Sequence, residues 1–122
     1  LPENVGEVYF SEVEPKAVKA WKLHTRMTQN MAVPVGRVHF VLYDGRPDSP
    51  TQGTLAEYYL GRPDNWGFLR IPPGVWYGFA GTAENVSLIV NCPDMAHEPT
   101  ESRRAPVDSD AIPYTWNIRG QE

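Results

Sequence analysis

Three side chains able to move or hold protons stand out in this chain: His24, Lys22 two residues before it, and Tyr77 on a proline-glycine turn. Alternate residues of a strand share a face. Along 17–24, Lys22 and His24 therefore point the same way, together with Val18 and Ala20, while Trp21 and Leu23 take the other side. An imidazole, with an ordinary pKa of about 6.5, takes up a proton near neutral pH, and a carboxylate behind it fixes its tautomer and raises its basicity. Asp108 and Asp110 are the acids offered for that place. The residues alone do not choose between them, and Asp108 is carried forward as the catalytic candidate. Tyr77 is either a hydrogen-bond or proton donor to a substrate oxygen or a packed ring. Lys22 is either a charge that stabilises an enolate or a solvated lysine. Of the other histidines, His39 alternates with apolar residues and reads as a satisfied core or interface side chain, and His97 reads as solvent exposed.

A second constellation is the loop 44–53, DGRPDSPTQG. Its composition marks a turn. Its arginine, Arg46, with hydroxyls and free amides, also suits a phosphate. Arg26, Arg37 and Arg70 are further candidates to hold a diphosphate.

The bulk numbers narrow the field. The 122 residues fit one domain, 1–122, and a net charge of −4 without a long charged run argues against nucleic acid as a partner. The single cysteine, Cys92, excludes an internal disulfide framework and reads as a packed thiol in a reducing cytoplasm. No apolar run approaches the ~20 residues of a membrane span, and no leader is visible. Because the chain starts at Leu1, an N-terminal strand of a longer protein is expected to be missing.

Twelve prolines and ten glycines punctuate short segments rich in β-branched and aromatic residues, so the chain reads as all-β. Strands are expected over 8–13, 17–24, 37–44, 55–60, 68–71, 75–79 and 86–90. Segment 37–44 is apolar on both faces, which calls for cover on both sides by another sheet or a partner subunit. Strands this short and this closely spaced make a sandwich or a jelly-roll barrel. The polar, proline-broken segment 93–122 is expected to run as an extended C-terminal tail packed on the barrel, anchored by Ile112, Tyr114 and Trp116.

The run GFLRIPPGVWYGF, 67–79, is similar to the second motif of the cupin barrels, with Tyr77 where a metal-binding histidine stands. Lys22, His24, Gln29 and Gly36 fall on the first motif. By that spacing Lys22, Gln29 and Tyr77 converge on one cavity with His24. Only His24 remains of four ligands, too few for a transition metal, so no metal and no other cofactor is expected. More specifically, VLYDGRPDSPTQG, the IPPGVWYGF turn, the Leu-His strand end and IPYTW together resemble the dTDP-4-dehydrorhamnose 3,5-epimerases, over 6–116. That resemblance implies an RmlC-like cupin jelly roll, a homodimer, and epimerisation of a 4-keto-6-deoxy sugar carried on dTDP. It places His24 on the family's base, Gln29 on its active-site lysine and Tyr77 on the histidine of its Ala-His-Gly-Phe turn. The family's proton-returning tyrosine falls near Ser87.

The reading that follows is a cytoplasmic sugar-nucleotide epimerase. Its expected catalytic residues are His24, Tyr77 and Asp108, and its expected substrate-binding residues are Lys22, Gln29, Arg26, Arg37, Arg46 and Arg70. The alternative is a cupin that binds a sugar or sugar nucleotide without turning it over. A metal-dependent dioxygenase stands third.

Overall fold

The computed structural model describes residues 4–116. Nine strands form there, in chain order β1 Tyr9–Val13, β2 Val18–His24, β3 Gln29–Val35, β4 Arg37–Asp44, β5 Leu55–Gly61, β6 Leu69–Ile71, β7 Val75–Gly81, β8 Ser87–Asn91 and β9 Ser102–Arg104. A short 3₁₀ turn, Pro99–Glu101, leads into β9. Sheet A has the order β1-β8-β3-β6 and sheet B the order β5-β4-β7-β2-β9, with antiparallel pairing throughout. The two sheets pack face to face as a jelly roll.

Period-2 alternation builds the interior. On β4, Val38, Phe40 and Leu42, with Val75 of the neighbouring β7, face Val13, Val33, Ile71 and Ile89 across the sandwich. The opposite face of β4 carries Val41 and Tyr43, and these pack with Trp21, Ile112 and Trp116 in a second apolar cluster. The cover expected over this double-sided strand therefore comes from the chain's own C-terminal segment. Gly78 shows how closely that segment lies. A Cβ there would stand 2.6 Å from the Ala20 Cβ and 3.0 Å from the Trp116 ring.

Two elements differ from expectation. The strand β3 was not expected, because Pro34 removes a ladder donor. The chain tolerates it through a register irregularity between Ala32 and Val35 against β8. The segment after residue 93 is also not wholly extended. It contributes the 3₁₀ turn and β9, which pairs Lys22 with Arg104 and His24 with Ser102. Beyond β9, Trp21 and Ala105 exchange backbone hydrogen bonds of 3.0 and 3.1 Å, and the Trp21 indole donates to the Val107 carbonyl at 3.3 Å.

The face assignment along β2 needs one correction. Trp21 is an extra residue against β7, which pairs Ala20 with Gly78 but Lys22 with Tyr77. The irregularity breaks the simple alternation, so Val18 and Ala20 pack in the outer cluster with Trp21. Lys22 and His24 still share the inner face beside Tyr77.

If the C-terminal segment is part of the folding unit, Trp116→Ala should cost about 3–5 kcal/mol, as truncation of a buried aromatic does. Urea unfolding measures this. A loss below about 1 kcal/mol would show that the segment is dispensable.

Candidate active site

The inner ends of β2 and β7 meet the Pro72–Gly74 turn at His24. Gly74 adopts φ +85, a conformation that favours glycine, and its N–H donates to the His24 carbonyl at 2.7 Å. The turn thus fixes the end of β2, and the imidazole with it. His24 is 6% exposed. Its Nδ1 lies 2.6 Å from Glu101 Oε1.

Glu101 is held on several sides. Its other oxygen accepts from the Arg26 and Met27 amides at 3.0 and 2.8 Å, and its carbonyl accepts from the Thr25 amide and hydroxyl at 2.8 and 2.7 Å. Burial alone would raise its pKa. The His24 ring and the two backbone amides outweigh burial and hold the carboxyl below its usual range. An ionised Glu101 keeps the proton on Nδ1, so in the neutral form of the imidazole the lone pair is on Nε2.

The surroundings keep that lone pair available. Tyr77 Oη donates to Gln29 Oε1 at 3.2 Å and lies 3.5 Å from His24 Nε2, a weak contact at most. Gln29 Oε1 also accepts from Asn91 Nδ2 at 2.8 Å, and Asn91 Oδ1 accepts the Asn30 amide at 3.2 Å. Burial, partly offset by the bond to Gln29, pushes the Tyr77 pKa up, so its phenol stays protonated.

In front of this cluster, between the sheets, lies a cavity of about 690 Å³ lined by Tyr77, Asn91, Tyr9, Lys19, Lys22 and Arg104, among others. Its size falls within the ~300–1,000 Å³ common for small-molecule sites. His24 sits just behind its wall, beside Tyr77. The Lys22 pKa is lowered, first by burial and then by Arg104, with Glu101 opposing. Among the described residues no three His, Cys, Asp or Glu side chains are grouped to hold a metal ion.

The structure thus brings together His24, Lys22, Gln29 and Tyr77. It does not do so for the remaining expected residues. Asp108 is corrected: the carboxylate on His24 is Glu101, while Asp108 and Asp110 are exposed and line a separate cleft with Tyr114 and Trp116. The chain leaves β2 through β9 and reaches Asp108 only after passing Trp21, on the outer side of sheet B. Arg37 is exposed at the opposite end of β4, where its backbone pairs with Ser87. Arg70, on β6, reaches toward Asn30 Oδ1 at 3.4 Å and is not on the cavity wall. Arg26 is exposed, and only its backbone serves the site.

Arg46 is already engaged. Its Nε and Nη2 donate to the two oxygens of Asp44 at 2.9 and 3.0 Å, and Ser49 and Thr51 donate to the same carboxylate. The Arg46 bond, more than any other, holds Asp44 well below the usual carboxylate range despite its burial. The loop's own carboxylate occupies the place in which a phosphate was expected, and the network fixes the loop against the turn at Gly74.

Sequence reasoning missed Glu101, Asn91, Tyr9, Lys19 and Arg104. The nearest signal for Glu101 was Glu-Pro-Thr-Glu, in which Glu98 caps the 3₁₀ turn by accepting from the Thr100 amide. His39 behaves as expected. It stacks on Tyr59 at 4.2 Å and meets Glu57 at 2.9 Å.

A carboxyl with a depressed pKa contributes stability that is present above its unfolded pKa and is lost as pH falls through its folded pKa. Glu101→Gln should therefore lower stability at pH 7 by about 1–3 kcal/mol, with the gap to wild type closing below the usual carboxylate range. Denaturant unfolding across pH measures this, and a gap that does not change with pH would overturn the ionised state assigned to Glu101.

No protein-family model matches the chain. It is 34% identical over 119 residues to the spore coat polysaccharide biosynthesis protein SpsL of Bacillus subtilis (strain 168), covering 96% of this chain and 78% of the relative. It is 38% identical over 112 residues to the probable low-salt glycan biosynthesis epimerase Agl13 of Haloferax volcanii, covering 89% and 71%. Among solved structures, a dTDP sugar isomerase from Desulfovibrio desulfuricans G20 superposes with a TM-score of 0.92 at 59% identity, over 93% of this chain and 73% of that one. Relatives this similar, matched over more than two thirds of their length, place the chain in the family of these dTDP-sugar isomerases and glycan-biosynthesis epimerases, with an RmlC-like fold.

Proposed function

We propose that this chain is a sugar-nucleotide epimerase in which His24 removes the proton alpha to the ketone of a dTDP-4-keto-6-deoxy sugar. The observation that carries the assignment is the buried His24–Glu101 pair beside a cavity of substrate size. Glu101 holds Nδ1–H, which orients the ring and stabilises the imidazolium formed when Nε2 takes the proton. Lys22, on the cavity wall and paired with Tyr77, is placed to stabilise the enolate oxygen by charge. Lys19 and Arg104 bring two more cations to the cavity and suit the diphosphate of the carrier.

The 59% identical solved structure, a dTDP sugar isomerase, supports dTDP as the carrier. The names of the two curated relatives support a role in polysaccharide or glycan biosynthesis. A cytoplasmic homodimer that works at C3, C5 or both completes the reading. No helix among the described residues is long and apolar enough to cross a membrane.

A second reading, a cupin that binds the sugar nucleotide without catalysis, draws on one observation. Ser87, near the position of the family's proton-returning tyrosine, is fully buried and bonded to the Arg37 backbone.

Proton NMR in deuterated water separates the two. With dTDP-4-keto-6-deoxyglucose, the C3 or C5 hydrogen signals should disappear in the presence of protein. His24→Asn should slow that loss about 10²–10⁴-fold, the usual worth of a general base. Exchange at the wild-type rate in the variant would overturn the base assignment. Line broadening without exchange in the wild type would establish the binding module instead.

A further inference from the structure

Inversion at a carbon requires a proton donor on the face of the enolate opposite the base. His24 on β2 and Tyr77 on β7 both belong to sheet B. The Tyr77 hydroxyl lies beside the base, 3.5 Å from His24 Nε2, and its proton is already given to Gln29 Oε1. Ser87 has no spare proton, since its hydroxyl donates to the Arg37 carbonyl at 3.1 Å and it is shut off from the cavity. The acid has to come from sheet A.

Sheet A lines the cavity with Tyr9, Ser11, Met31, Ile89 and Asn91. Of these only Tyr9 carries a side chain acidic enough to give a proton to carbon. Its Oη accepts from Asn91 Nδ2 at 2.8 Å. That leaves its own hydroxyl hydrogen with no acceptor among the described residues. The same Asn91 amide nitrogen donates to Gln29 Oε1, which in turn receives the Tyr77 hydroxyl. One buried amide thus ties the phenol on sheet A to the base cluster on sheet B. We infer that Tyr9 is the general acid that returns the proton on the face opposite His24.

The step balances. The substrate C–H bond breaks, its electron pair enters the enolate and its proton rests on Nε2. A new C–H bond forms with the Tyr9 hydroxyl proton, leaving a phenolate. Water then reprotonates the phenolate and accepts the imidazolium proton, so nothing is consumed. Asn91 Nδ2, already directed at Oη, stabilises the transient phenolate. Burial raises the Tyr9 pKa, with Asn91 opposing and Glu7 adding, so the phenol carries its proton at neutral pH.

The inference rests on the epimerase reading, and the experiment separates the two. Wild type, Tyr9→Phe and His24→Asn are each incubated with dTDP-4-keto-6-deoxyglucose in deuterated water, and both exchange of the substrate hydrogens and formation of inverted product are followed. Tyr9→Phe should keep exchange near the wild-type rate, because His24 still removes the proton and returns a deuteron to the same face. Inverted product should fall about 10²-fold or more. His24→Asn should lose both. Inversion by Tyr9→Phe at the wild-type rate, or equal loss of exchange and inversion, overturns the assignment while the epimerase reading stands. Neither process in the wild type overturns the epimerase reading, and the assignment falls with it. As a readout that packing does not move, 3-fluorotyrosine at position 9 lowers the phenol pKa. It should carry the alkaline limb of inversion, but not of exchange, to lower pH. An unmoved limb also overturns the assignment.

Discussion

A buried carboxylate satisfied by one imidazole and two backbone amides is the constraint around which the site is organised. Glu101 cannot be ionised inside the protein unless its lone pairs are occupied, since an isolated buried charge costs several kcal/mol. The Arg26 and Met27 amides and His24 Nδ1 meet that need. They do so only while β9 is paired with β2 and the 3₁₀ turn is closed over the Thr25 backbone. The base is therefore assembled by the docking of a C-terminal segment, and the same docking buries Trp21, Val41 and Trp116 on the outer face of sheet B. The apolar cover of that sheet and the orientation of the imidazole are two consequences of one packing event.

The inner face has its own internal logic. Tyr77, Gln29, Asn91 and Tyr9 form a continuous polar line across a cavity otherwise walled by groups such as Met31, Phe79 and Ile89. Each amide in the line is hydrogen-bonded, and satisfied networks of this kind rigidify a site. Gln29 is neutral where the resemblance places a lysine. The cationic charge in this cavity sits instead on Lys19, Lys22 and Arg104. The Asp44 loop supports from outside. Its carboxylate is consumed by Arg46, Ser49 and Thr51, and the Arg46 chain closes against Gly74, whose amide holds the end of β2.

Much of the fold was legible because the physical signals were local. Alternation in 37–44 predicted a strand buried on both faces, and β4 carries buried residues on both. Asp-Gly and Pro-Gly turns marked the strand ends, and Ile112, Tyr114 and Trp116 announced a segment that had to pack on something. The strand β3 was hidden because its proline argues against a ladder, and only pairing with β8 and β6 around an irregularity reveals how it fits. His24, Lys22, Gln29 and Tyr77 were legible as a group because two motifs fix their spacing.

The sequence by itself determined an all-β chain of this family, and it singled out the imidazole that the chemistry needs. Those properties follow from residue periodicity and from motif spacing within short stretches of chain. Only the tertiary structure decided the rest. Which acid supports His24 depends on how a segment 77 positions away returns to β2, and a polar tail with several acids carries no local signal of that register. Which cations face the cavity depends on an extra residue at Trp21 that breaks the period of β2. That Arg46 spends its Nε and Nη2 donors inside the chain depends on Asp44 folding back onto it. Each is a long-range or competitive contact, and such contacts are settled by packing rather than by the identity of the residues alone.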